Sequence, residues 1–325
     1  MTVFCLLVLA LLWTGKPYLA SPTKVTEART EPLIVDHTTD NINSIPQAWI
    51  EAAKENIHIA HGHTSHGSQI STGMSGLVAF ANGSGRGLSL PENIFQYDPD
   101  SNNGGTHLHY FEGSGYDVSG DLAYDVGYSE WVQRTYDYLG TVDTGTGKGT
   151  NHPEINVLMW SWCGQVSSIS EANLITHYLQ PMAQLELDYP GITFIYMTGH
   201  ADGTGENGNL HLRNQQIRQY VVDNNKVLFD FYDFDIYDPD DVYYGDKAVK
   251  DTLEYDSDND GLRDANWGQA WQAGHTLGVD WYSTGCAHSE AINCNQKAYA
   301  AWWLWTRLAG WDPDGSSIFF PLVLR

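Results

Sequence analysis

Apolar residues recur in two rhythms along this chain, and the alternation of the two outlines its fold. Ile57 and Ile59 alternate with polar neighbours and the run stops at Gly62, the layout of a strand before a tight turn. Denser apolar runs follow at 156–160, 192–198 and 227–232, the form taken by strands covered on both faces. Between them the spacing becomes helical. In 45–54, Pro46 follows Ser44 at a first helical position, and Trp49, Ile50 and Ala53 share one face. Further helices are predicted over 71–81, stopped by Asn82 and Gly83, over 127–138 with Trp131, Val132, Thr135 and Tyr138 inward, over 171–188 with a break at Pro181, over 212–224, and over 293–308. Strands alternating with helices at this spacing predict βαβ units, hence an α/β fold of three layers, α/β/α, around a mostly parallel sheet. Residues 82–128 break the rhythm with Gly, Asn, Asp and Ser, and read as functional loops or small hairpins, although His107 and His109 alternate with their neighbours as in a strand. The apolar tail 318–324 reads as a final edge strand or docking segment.

Composition narrows the picture. The chain has 325 residues, 42% of them hydrophobic, which is enough for a sizeable core. Forty acidic against sixteen basic residues give a formal charge of −24, which argues against nucleic acid and anionic membranes as partners. Twelve Trp and nineteen Tyr read mainly as packing residues, with surface aromatics able to stack on sugars. The apolar run 4–13, with Ala20 before Ser21, reads as a signal peptide over 1–20, so the protein is expected outside the cell. Residues 21–44 are then a linker or N-terminal arm and 45–325 a single domain. In an oxidising compartment Cys286 and Cys294, eight apart, are expected to pair, leaving Cys163 as a buried structural thiol.

In parallel sheets ligands sit at the carboxyl ends of the strands. Three polar, glycine-bearing turns occupy those ends here: Gly62 to Ser68, Gly164 with Gln165, and Gly199 to Gly203. Gly62, His63, Thr64 and Ser65, after a strand and before a helix, resemble the first block of the SGNH (GDSL-like) hydrolases, in a secreted branch with Gly-His-Xaa-Ser in place of Gly-Asp-Ser. The resemblance implies a flavodoxin-like sheet and an esterase with Ser65 as nucleophile, Ser68 being the alternative. It implies Gly164 for the second block, and Gly199 with His200 or Asp202 near the third, where the family's Asn is absent. His63 joins this oxyanion and substrate set. The backbone N–H groups of Ser65 and Gly164 would hold the oxyanion, with His200 or Asn207 replacing the missing donor. His288, ahead of the closing helix, stands where the family keeps its base. Gly285 takes the place of the family's Asp, and Asp280 is the nearest upstream acid. By analogy the substrate is an O-acylated carbohydrate, with extracellular polysaccharide as partner.

Two further features carry chemistry. Asp256, Asp258, Asp260 and Asp264 stand at positions 1, 3, 5 and 9 around Gly261, with the Leu262 carbonyl at position 7, which is a calcium-loop pattern lacking the Glu at position 12. A structural Ca2+ is expected there. A second reading takes His61, His63 and His66, with His107 or His109 and Asp202, as zinc ligands for metal-assisted hydrolysis. A third reads the chain as a non-catalytic descendant that binds glycans or self-assembles.

Overall fold

The computed structural model describes residues 30–82, 90–91, 93–98, 106–112 and 130–313. A seven-stranded sheet lies at its centre, formed by β1 (Leu33–Val35), β2 (His58–Gly62), β3 (Tyr97–Asp98), β4 (Leu108–Glu112), β5 (Val157–Trp160), β6 (Thr193–Met197) and β7 (Val227–Phe229). The order across the sheet is β1-β7-β6-β5-β2-β4-β3, and every pairing is parallel. Parallel strands need crossovers, and helices supply them: α1 (Gln47–Asn56), α2 (Ser68–Asn82), α3 (Glu130–Leu139), α4 (Glu171–Leu174), α5 (Gln180–Asp188) and α6 (Asn209–Asp223); α7 (Asp233–Ile236), α8 (Trp267–Gly274) and α9 (Ala291–Leu308) follow the last strand.

Side-chain alternation along each strand assigns the layers. Tyr110 of β4 packs on Trp305 of α9, which lies against α1 and α2. Its neighbour Phe111 points the other way, onto Tyr138 of α3, and Trp160 of β5 meets Trp131 of the same helix. Tyr196 of β6 meets Tyr220 of α6 on that second face. The fold is therefore the expected three-layer α/β/α. The strands β5, β6 and β7 are almost wholly apolar because both their faces are covered.

Five strands, taken in chain order as β2, β4, β5, β6 and β7, lie as 2-1-3-4-5, the flavodoxin-like order. The chain turns one way from β2 to β4 and the other way from β4 to β5. The crevice at the carboxyl ends of β2 and β5 is thus the topological switch point, where such sheets place their ligands.

Several expectations need correction. The segment 21–44 is not wholly a linker, since Leu33–Val35 pairs with β7 and Ile42 is buried, so the domain includes Leu33 onward. Three apolar residues are too few to show a period, and their partner strand lies almost two hundred positions on. Pro181 does not end its helix: a π turn over Ile175–Leu179 joins α4 to α5 and absorbs the missing N–H. The apolar run at 156–160 is the third strand of the wound order, because β4 intervenes, and His107 lies just outside β4. Cys286 and Cys294 form the expected disulfide. The segments 1–20 and 318–324 lie outside the described residues, and among these no helix is long and apolar enough to cross a membrane.

Candidate active site

The turn after β2 can bend sharply because two glycines let neighbouring chains close in. A Cβ on Gly62 would overlap the Trp160 ring, and one on Gly67 would overlap His63 Cβ and Ser161 Oγ. Ahead of the turn, His61 is fully buried. The Tyr110 hydroxyl donates to its Nδ1 at 2.5 Å, and its Nε2 donates to Ser161 Oγ at 2.7 Å, while the Ser161 hydroxyl faces Met197 Sδ at 3.4 Å. Burial first, then the nearby His63, holds the His61 pKa well below its ordinary range, which keeps the ring neutral. His63 reaches outward instead, with Nε2 on Glu112 Oε2 at 2.8 Å and Nδ1 on the Thr64 carbonyl at 3.0 Å.

His66 is the hub of the cluster. Its Nδ1 lies 3.7 Å from Cys163 Sγ, and its Nε2 donates to Asp251 Oδ2 at 2.9 Å. Ser65 Oγ stands 3.8 Å from the same sulfur. The His66 ring is stacked on both sides, by His200 at 3.7 Å and by His288 at 4.3 Å. Burial lowers the His66 pKa; the bond to Asp251 opposes this, and the charges of His200 and His288 add to it. For Asp251 burial alone would raise the pKa, but the His66 bond, the neighbouring His200 and His66 charges and the Thr252 N–H together lower it. The ground state is a neutral base held by an ionised acid.

The backbone around the thiol is set for an anion. The Cys163 N–H is held by Gln165 Oε1 at 2.9 Å, while the Gly164 N–H has no acceptor among the described residues. A Cβ on Gly164 would meet nothing within 4 Å, so the space beside its Cα is open. In the turn ahead of α2 the Ser65 and His66 N–H groups likewise have no backbone acceptor among the described residues.

A buried layer behind the site fixes its loops. Lys297 of α9 is fully buried and donates to Asp235 Oδ1 at 2.8 Å and to Gln69 Oε1 at 2.5 Å. Asp235 Oδ2 accepts the Ala201 N–H, which steers the His200 turn. Gln69 Nε2 donates to the Ala287 carbonyl, beside His288. One ammonium thus ties together α2, the turn after β6 and the loop before α9. His288 itself has a left-handed backbone, φ 61°, and its loop is closed by the Cys286–Cys294 bond.

Of the predicted set, the fold brings Ser65, Gly164, His200 and His288 to one crevice, around His66. Gly199 packs on Val166 and its N–H is held by Asn214. Asp202 caps its own turn at Thr204 and Asp280 accepts the Thr276 N–H at 2.8 Å; no described contact joins Asp280 to His288, or Ser65 to either. Cys163 is not the buried structural thiol expected: it is half-exposed and lies between Ser65 and His66. Its place at the carboxyl end of β5 was the available signal. Asp251 and Glu112 carry no such signal, since one comes from an irregular loop and the other from a strand inside a loop-rich stretch.

The histidines proposed as zinc ligands do not converge, because His61, His63 and His66 each face a different partner. His66, His200 and Asp251 do bring ligand atoms within 4.8 Å of one another. The two rings, however, are parallel to within 3°, so an ion in the plane of one would stand most of their 3.7 Å separation out of the plane of the other. In the acidic loop Asp256, Asp258 and Asp260 gather, with Asp256 buried. Asp264 faces the Ser257 N–H and hydroxyl, and the Leu262 side chain is exposed. No protein-family model matches the chain, and no curated protein and no solved structure matches it either.

Proposed function

We propose that this protein hydrolyses ester bonds by nucleophilic catalysis at the switch-point crevice, with the Cys163 thiol as nucleophile. One observation carries the reading: a single imidazole, His66, has one nitrogen 3.7 Å from Sγ and the other on Asp251 at 2.9 Å. With the Nε2 proton donated to Asp251, the lone pair of Nδ1 faces the thiol. His66 takes the thiol proton as Sγ attacks the acyl carbon. The oxyanion turns to the Gly164 N–H, assisted by the Ser65 and His66 amides in the turn ahead of α2. His66 then returns its proton to the leaving alcohol, and an acyl thioester remains on Cys163. Water, deprotonated by the same imidazole, attacks the thioester, releases the acid and restores the thiol. His200 serves this site by stacking; its Nδ1–H is donated to the Ala201 carbonyl, so a neutral ring offers no donor to the oxyanion from Nε2.

The likeness of 62–65 to SGNH hydrolases supports the same reaction class, and it sustains a second reading with Ser65 as nucleophile. The 3.8 Å contact between Ser65 Oγ and Cys163 Sγ favours it specifically, since either atom can meet the same acyl carbon. The wider reading includes export, an O-acylated saccharide as substrate and a structural Ca2+ at Asp256, Asp258 and Asp260. That donor set, three hard carboxylates crowded in one turn, fits such an ion, which would neutralise their mutual repulsion.

The test is acyl trapping with para-nitrophenyl acetate, read by peptide mapping on wild type, Cys163→Ala and Ser65→Ala. The expected outcome is an acyl group on Cys163 that is lost, with turnover, in Cys163→Ala. An acyl group on Ser65 that survives Cys163→Ala selects the second reading. A folded protein that acylates at neither residue overturns both.

A further inference from the structure

Beside the crevice lies an open cavity of about 400 Å3, the size of a small-molecule site, lined by Ser71, Thr72, Ser75, Tyr97, Glu112 and Thr284, with Gly76 in its wall. Its walls are continuous with the catalytic elements. Ser71 and Thr72 lie in the first turns of α2, just after His66. Thr284 stands four residues before His288, and its hydroxyl donates to the Thr72 carbonyl. Glu112 holds His63 through Oε2, and its Oε1 has no partner among the described residues. Tyr97 is fixed by donating its hydroxyl to the Ser71 carbonyl at 3.1 Å.

The lining selects a ligand by its chemistry. Among the described residues no Lys or Arg lines the cavity and one carboxylate does, which disfavours an anionic ligand. An alkyl chain would desolvate four aliphatic hydroxyls and a carboxylate without offering them hydrogen bonds. A ligand rich in hydroxyl donors meets these groups, since the Ser71 and Thr284 hydroxyls, already donating to the Ser68 and Thr72 carbonyls, are left to accept, and so is Glu112 Oε1. The fixed Tyr97 ring adds an aromatic surface for C–H faces, and Gly76 removes a side chain from the wall.

We infer that this cavity is a subsite for an uncharged polyhydroxylated group, a saccharide, held along α2 and between Glu112 and Thr284. Resting on the ester-hydrolysis reading above, the inference makes the saccharide the alcohol side of the ester, which His66 protonates as it leaves. Glu112 is then a binding group, and its bond to His63 keeps the carboxylate turned so that Oε1 meets the sugar.

The experiment separates binding from chemistry by using Cys163→Ala, which cannot form the thioester. A panel of O-acetylated pentose and hexose oligosaccharides, with their deacetylated forms, is titrated calorimetrically into this variant and into the same variant carrying Glu112→Gln or Ser75→Leu. At least one acetylated member is expected to bind, with affinity at least tenfold weaker in both double variants, whose fold is checked by near-ultraviolet circular dichroism. Glu112→Gln is isosteric and keeps the test decisive where Ser75→Leu disturbs α2. Absence of binding across the panel, or binding that neither substitution weakens, overturns the subsite. If saccharide binds in this way but para-nitrophenyl acetate leaves no acyl group on wild-type Cys163 or Ser65, the ester-hydrolysis reading falls, and with it the leaving-group role, while the binding site stands.

Discussion

Asp251 decides which nitrogen of His66 is free to act, and its effect on rate and on pH dependence can be measured separately. Asp251→Ala removes the acceptor at Nε2, and turnover of para-nitrophenyl acetate is expected to fall ~10³-fold or more with little change in KM. Asp251→Asn should keep much more of the activity, because an amide oxygen can still accept the Nε2 proton. The acid limb of kcat/KM reports His66, whose pKa lies below its ordinary 6.5, so activity should rise with pH through a midpoint below that value. His288→Ala takes away a charge that depresses the His66 pKa, and the midpoint should move up. An acid limb that ignores both Asp251 and His288 would remove His66 from the role of base.

At the scale of elements, α9 organises the site without entering it. Its Lys297 and the facing Asp235 are 0% and 1% exposed, and their bond holds the turn after β6 and, through Gln69, the loop before His288. Lys297→Met leaves Asp235 charged and unpaired in the core, and urea unfolding at neutral pH should show a loss of ~3–5 kcal/mol. Lys297→Met with Asp235→Asn should regain a large part, because the uncompensated charge is gone; no regain would mean that the packing of the ammonium stem, and not the ion pair, matters. Helices and strands at this scale were largely readable. Trp49, Ile50 and Ala53 do mark a helix, and 156–160 does mark a buried strand, since the periodicity of burial is imprinted directly on the residues. β1 and β3 escaped because strands of three and two residues carry no period and form only against partners made elsewhere.

For the whole molecule, charge sets two expectations. His58, His61, His66, His109 and His211 all sit below the ordinary 6.5, with burial the leading cause in each, and His109 lies at about 4. The unfolded chain takes up protons at these positions as pH falls through 6.5, and the folded chain resists, so the unfolded state binds more protons and stability falls between pH 6.5 and about 4. His37 acts in the opposite sense: burial lowers its pKa, but the bond and charge of Asp233 together with the charges of Asp36 and Asp241 raise it, so its contribution is present below 6.5 and lost as pH rises through the folded value. Glu186 and Asp230, whose carboxyl pKa values burial raises, act on the side of His37, so five groups against three predict net loss on acidification, checked by urea midpoints at about pH 7 and about pH 5. A net charge of −24 also opposes compaction, which a divalent cation at 256–260 would relieve. Calcium at 100 times its Kd should add about 2.7 kcal/mol and raise Tm, and Asp258→Ala should abolish the rise. A Tm indifferent to calcium and to chelator would remove the ion from the fold.

The sequence alone determined the fold class, the helices and longer strands, the glycine turns at the strand ends and the disulfide, because each depends on residues within a few positions of one another. Even the choice of crevice follows from it once strands and helices alternate, since a parallel sheet offers its carboxyl edge. Which side chains meet there was decided only by the tertiary structure. His66 reaches Cys163 across 97 positions and Asp251 across 185, and no local pattern records a partner that far away. A histidine of the turn after β2, a thiol read as structural and an acid that the sequence did not mark became one hydrogen-bonded relay only when the wound sheet brought the turns after β2 and β5 side by side. Packing, not spacing, chose His66 from thirteen histidines, by burying it between two other rings with a carboxylate on one nitrogen and a sulfur beside the other.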